Sequence, residues 1–341
     1  MREPLDRREF LSLSVTGMAG LAATGGMSQL SADEPADKPG DGDAADVRPL
    51  EAPEPKFPYG TIGKLKISRL ILGSNLMSGY SHSRDLQYVG ALMRAYNTEE
   101  KILETLALAE SLGINTVSQG DMQLIQKYNQ THGGHLQQLA PLHIREDNTD
   151  EEIRTAIKTI VDQGSAAIYV FGHDSDQIVR AGRVEVIAKA IEWIKQEGLP
   201  AGVGGHSLHV VRECEKGQVN PDFYFKTFHS DRYWSATLKE HRDEYCWYQG
   251  MSEQAGQYHD NMWCVDPEAT IETMREVKAA WIAFKVLAAG ALRPQIGFRY
   301  ALRNGADFMV VGMFDFQVQQ NVELVKEILT GMNDRERPWR A

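Results

Sequence analysis

From Gly60 onward, short and almost wholly apolar runs alternate with longer stretches in which apolar residues recur three and four apart. The short runs are Arg69–Gly73, Ile114–Val117, Gln137–Leu142, Ala166–Phe171, Ala201–Val203, Phe223–Thr227, Trp281–Val286 and Phe308–Gly312. They read as strands buried on both faces. The stretches between them, such as Ile153, Ile157, Ile160 and Val161 or Val186, Ile187, Ala190 and Ile194, read as amphipathic helices. Asn148-Thr149-Asp150-Glu151 and Asp266-Pro267-Glu268 supply helix starts, the second with proline in the first turn. Eight strand-helix units predict an α/β fold, a (β/α)8 TIM barrel. Such a barrel opens the carboxyl ends of its strands onto one face, where chemistry is kept. Two longer segments interrupt the rhythm, Met77 to Asn97 after the first strand and an insertion, Ser230 to Val265, after the sixth. Both are expected to wall the mouth.

The amino-terminal part follows a different pattern. Asp6-Arg7-Arg8-Glu9-Phe10-Leu11 leads into a weakly apolar run ending at Gly26, which looks like a twin-arginine export signal over residues 1–32. An amphipathic first helix is the competing reading, and the Asp-, Glu-, Pro-, Ala- and Gly-rich stretch that follows speaks against it. Residues 33–56 are expected to form a disordered acidic linker, 57–333 the barrel and 334–341 a carboxyl-terminal tail. The expected location is therefore periplasmic or otherwise extracytoplasmic. Twin-arginine export carries folded proteins, which suits a metal or cofactor loaded beforehand.

Charge narrows the partners. A formal net charge of -11 over 341 residues argues against nucleic acid or an anionic membrane surface, and nothing past the leader is apolar for long enough to span a bilayer. A small-molecule substrate is the expectation. The three cysteines do not make a disulfide framework. Cys214 falls on a helix, and Cys246 and Cys264 share one loop where they could pair outside the cytoplasm.

Candidate chemistry gathers at the predicted strand ends: Asn75, His143, His173 with Asp174, His206, Lys226, His229, Lys285 and Asp315. The segment from Ala201 to His229 is the most telling, because two neighbouring strands each finish on a histidine, His206 and His229. Imidazoles there suit proton transfer near neutral pH. They also suit a divalent metal (zinc, manganese or iron) held by His206 and His229 with His173, Asp315 or His259 as third ligand. Lys285 sits beside Ala288, Ala289 and Gly290, small residues that let a ligand approach. Alternation along the sixth strand turns Lys226 away from Thr227 and His229. In the insertion, Asp231-Arg-Tyr-Trp234 and His259-Asp-Asn-Met-Trp-Cys264 mix aromatic faces with polar groups, as carbohydrate recognition requires. Asn75, Tyr233, Trp234 and Trp263 are the expected substrate contacts, with His259 and Asp260 as an acid-base pair in the lid.

Gly60 to Gly73, the Gly202-Val203 strand end, Pro221-Asp222 and Lys285-Val-Leu-Ala-Ala-Gly290 together resemble the aldo-keto reductases. The resemblance spans most of residues 60 to 330. It implies the barrel and NADP(H)-dependent reduction, with an Asp and a Tyr after strand two, a Lys ending strand three and a His ending strand four. This chain has Ser118 and Gln123 in place of the first two and Leu142-His143 where the Lys belongs. His173, within two residues of the expected place, is what remains. Gly204-Gly205 replace the nicotinamide-contacting Ser-Asn pair, and Met313-Phe-Asp-Phe316 replaces the basic phosphate loop, so that a 2'-phosphate would meet Asp315. Asn321 matches the adenine-contacting Asn. The expectation is an exported barrel enzyme doing non-redox chemistry of lyase, epimerase or hydrolase type on a sugar-derived compound. His206 and His229 would serve acid-base chemistry or metal ligation, Lys285 charge stabilisation, and His173 a supporting role. An NADP(H)-dependent reductase with a rebuilt tetrad and a non-catalytic sugar-binding module are the alternatives.

Overall fold

The computed structural model describes residues 57–80, 82, 86, 88–245 and 261–341. The leader, the linker, Cys246, His259 and Asp260 lie outside them. The described chain opens with an antiparallel hairpin, β1 (Tyr59–Ile62) and β2 (Leu65–Ser68), turned at Gly63 with φ +59°. There follow β3 (Leu70–Gly73), α1 (Val89–Tyr96), α2 (Glu99–Ser111), β4 (Thr116–Ser118), α3 (Met122–His132), β5 (Gln137–Leu142) and α4 (Asp150–Asp162). Next come β6 (Ala167–Val170), α5 (Gly172–Arg180), α6 (Val184–Gln196), β7 (Ala201–Gly205), α7 (Leu208–Lys216) and β8 (Phe223–Thr227). The chain finishes with α8 (Pro267–Glu276), β9 (Ala280–Phe284), α9 (Pro294–Arg303), β10 (Phe308–Gly312) and α10 (Asp315–Thr330).

Strands β3 to β10 pair in parallel in chain order, and β10 returns to β3 through Gly312 opposite Gly73, closing the barrel. Period-two alternation sorts their side chains into two cores. Leu70, Leu72, Ile168, Val170, Tyr224 and Trp281 face the helices, whereas Ile71, Leu139, Tyr169, Phe223, Phe225, Ile282 and Phe308 fill the barrel. Gly202 makes room for this filling, since a Cβ there would stand 2.2 Å from the Phe223 ring. Thr149 caps α4 in a reciprocal capping box with Glu152, and Asp266 caps α8 ahead of Pro267, both as the sequence predicts. Among the described residues no helix is long and apolar enough to cross a membrane.

The amino-terminal end of the barrel is sealed twice. Ile62 and Ile67 of the hairpin join the interior core. Around them the tail docks through Asp307, which is fully buried and takes Arg337 at 2.7 Å, Arg335 at 3.1 Å and the backbone N–H groups of Trp281 and Arg340 at 2.9 Å. Arg69 donates to the carbonyls of Asp307 and Ala341, and Trp339 lies between the guanidinium groups of Arg69 and Arg335 at 4.0 and 3.6 Å. Burial pushes Arg69 and Arg335 down to about 10, with Asp307 opposing the shift. Asp307→Asn leaves buried guanidinium groups without their carboxylate and is expected to cost about 3–5 kcal/mol of stability, read from the urea midpoint.

Candidate active site

The mouth is built where β7 runs out. Residue His206 follows Gly205 directly, and Ser207 then caps α7 through the His209 N–H. One strand earlier, β6 turns at once into α5, and this short helix carries Asp176, which is fully buried. The Asp176 carboxylate accepts from the backbone N–H of His206 at 3.0 Å and of Ser207 at 2.9 Å, and its Oδ2 meets His206 Nδ1 at 2.7 Å. Glycines permit the approach. A Cβ on Gly204 would stand 2.8 Å from Gly172 N and Val170 O, so β7 and the start of α5 come together only without one. An acceptor-only carboxylate puts the imidazole proton on Nδ1 and leaves Nε2 as the ring's basic nitrogen. Burial pushes His206 down to about 4, against the opposing pull of Asp176, so the ring is neutral near pH 7.

Aromatic rings and a cation surround this pair. The His206 ring lies 5.1 Å from that of Trp263 and 5.3 Å from that of Phe284. Lys285, the residue after β9, holds its Nζ 3.8 Å from the Trp263 ring centroid and hydrogen-bonds His82 Nε2. The His82 ring lies tilted against that of Trp263, with centroids 4.5 Å apart. Lys285, Ala288 and Ala289 have φ of +57°, +47° and +52°, three non-glycine residues in the left-handed region. Backbone strain of this kind costs on the order of 1–3 kcal/mol per residue and concentrates at working sites.

The other expected residues play different parts. His229 is fully buried with both ring nitrogens engaged by backbone: Nδ1 donates to Ser230 O at 3.0 Å, and Nε2 accepts from Trp263 N and Cys264 N, each at 3.0 Å. It is a clamp that fixes Trp263 against the end of β8, in place of the expected base or metal ligand. Lys226 faces the helices, as alternation predicts, and its ammonium donates to His206 O at 2.7 Å and to the Thr227 carbonyl and hydroxyl at 2.9 Å. It ties β7 to β8. His173 is exposed on the first turn of α5, Asn75 is exposed after β3, and Trp234 is 89% exposed. Tyr233 donates its hydroxyl to Asn261 O at 2.7 Å. His143, exposed after β5, bonds Asp174 at 3.0 Å. Cys264 is a buried free thiol beside Thr270. Asp176, His82 and Glu244, whose carboxylate takes the Ser207 hydroxyl and the Leu208 N–H, belong to the site without having been singled out from sequence.

Two implied groups can be weighed against these residues. For a metal, the proposed ligands do not converge: His229 is spent on backbone, His206 Nδ1 on Asp176, and no group of three His, Cys, Asp or Glu side chains among the described residues is placed to hold one. For a dinucleotide 2'-phosphate, the start of α10 presents the chain's own Asp315 carboxylate, held by the Tyr96 hydroxyl at 2.7 Å and Lys101 at 3.3 Å. A second anion does not fit there.

The sequence matches no protein-family model and no curated protein sequence. Among solved structures, the fold is similar to two from Pseudomonas aeruginosa that carry an aldo-keto reductase assignment, each 15% identical. One covers 80% of this chain and 94% of its own with a TM-score of 0.53, the other 80% and 96% with 0.50. A truncated 3-deoxy-D-arabino-heptulosonate 7-phosphate synthase from Thermotoga maritima aligns at 11% identity over 81% of this chain and 92% of its own, with a TM-score of 0.45. The architecture is thus an aldo-keto-reductase-like barrel. At such identity the likeness concerns the fold alone, and function has to be argued from the mouth.

Proposed function

We propose that this barrel is a proton-transfer enzyme acting on a sugar-derived carbonyl compound. The observation that carries the reading is the buried Asp176–His206 pair at 2.7 Å, set at a strand end on the face where barrels keep their chemistry. His206, neutral and oriented by Asp176, removes the proton next to the carbonyl. Lys285 supplies positive charge for the oxygen on which negative charge develops. Trp263 and Phe284 give the substrate's CH faces an apolar surface. An export leader remains part of this proposal, placing the enzyme outside the cytoplasm.

The test is enzyme-dependent exchange of carbon-bound hydrogen with D2O, followed by proton NMR over a panel of ketoses and uronic acids. Wild type should label at least one of them, and His206→Gln should slow labelling on the order of 10²–10⁴-fold with circular dichroism unchanged. Equal rates in the two proteins, or turnover that appears only when NADPH is added, would sink the reading. Sugar binding that survives the substitution with no labelling in either protein would leave a binding module instead.

A further inference from the structure

Helix α5 carries a second carboxylate, Asp174, two residues before Asp176. Positions i and i+2 lie roughly 200° apart around a helix, so one short element necessarily aims its two carboxylates to opposite sides. Asp176 meets His206 beyond β7, and Asp174 Oδ2 meets Nδ1 of His143 beyond β5 at 3.0 Å. β6 alone separates those two strands, so their ends stand roughly 10 Å apart. Each imidazole also rests on an aromatic ring packed against the barrel's interior core, His143 on Phe171 at 4.5 Å and His206 on Phe284 at 5.3 Å. The pairs differ in solvent access, with side-chain exposure of 63% for His143 and 10% for His206.

We infer that His143–Asp174 is the second proton-transfer pair of the same site, and that the reaction inverts one carbon beside a carbonyl. This rests on the function proposed above. The C–H bond breaks and its proton passes to His206 Nε2, while the electron pair moves into the carbonyl to give an enolate. The N–H of protonated His143 then breaks, its proton goes to the same carbon from the opposite side, and the carbonyl reforms. One proton leaves the substrate and one arrives, so no oxidant, reductant or co-reactant is consumed. Exposed His143 recovers its proton from water, His206 Nε2 gives up the one it took to water at the mouth, and the reverse reaction uses the pairs in exchanged roles.

The experiment follows the C3 position of D-fructose, D-psicose, D-tagatose and D-sorbose in D2O by NMR with the full chain as wild type, His143→Gln and His206→Gln. Wild type is expected to interconvert C3 epimers with deuterium in the product. With the epimer that His206 deprotonates, His143→Gln should still exchange the C3 proton of the starting sugar while forming the opposite epimer on the order of 10²-fold more slowly. His206→Gln should do neither with that epimer, and with the opposite epimer, which His143 deprotonates, it should exchange the C3 proton without inverting it. Inversion by His143→Gln at the wild-type rate, or parallel loss of exchange and inversion with both epimers of a pair, overturns the second pair and leaves the first intact. Wild type that exchanges without inverting does the same. Wild type that exchanges none of the four overturns inversion at C3, and absence of labelling across the whole ketose and uronic acid panel overturns the proposed function with it.

Discussion

Asp176→Asn is expected to lower turnover on the order of 10²–10⁴-fold while the barrel stays folded. The present carboxylate only accepts, and it does so from two backbone N–H groups and one imidazole N–H. An amide has one accepting oxygen and one donating nitrogen, so at least one of those donors would face another donor. If that donor is the imidazole, the proton moves to Nε2 and the ring no longer has its basic nitrogen available. Folding should suffer too, by about 1–3 kcal/mol for a buried donor left without an acceptor. Rates relative to wild type on the same substrate, read beside urea midpoints, separate the two effects. Turnover within a few-fold of wild type would deny Asp176 the orienting role.

Acid should unfold this protein early. His206 and His229 are both buried and both pushed down to about 4 from an ordinary value of 6.5, desolvation being the main cause. Between those values the unfolded chain binds protons that the folded chain does not, so stability rises with pH through this window and is lost as pH falls from 6.5 toward 4. Shifts of this size correspond to about 3 kcal/mol per ring. Two rings together approach the whole net stability of an ordinary domain. Urea midpoints at half-unit intervals from pH 7 to 4.5 should fall steeply, and His229→Gln, weaker at pH 7, should give a flatter slope. A midpoint constant across that range would contradict the neutral, buried state of both rings.

The barrel was legible because its signals are local and repeated. Each buried strand is a short apolar run, and helices such as α4 and α8 carry their periodicity and caps, so all eight barrel strands fall where the pattern puts them, with ends displaced by a few residues. Those displacements have causes: β9 stops at Phe284 because Lys285 turns left-handed, and β7 continues to Gly205 because its glycines pack against the start of α5. The β1–β2 hairpin and α5 are too short to announce themselves by period. Of the site, His206 and Lys285 could be picked out by their places at strand ends. Asp176 could not, since its partner is 30 residues away and Asp174 beside His173 is the nearer reading. His229 looked equivalent to His206 because sequence does not say what each ring nitrogen touches. Its acceptors and donors are the backbone of residues 230, 263 and 264.

The hairpin at the amino-terminal end has a kinetic corollary. With Ile62 and Ile67 packed into its interior core, the described barrel is closed at the amino-terminal end, and on the function proposed above a substrate of His206 enters and leaves at the carboxyl-end mouth. Product must vacate before the next substrate can enter, so the two compete for the same empty form of the protein. Any bulky extension on a substrate has to trail outward past the strand ends, while only its reacting head goes in.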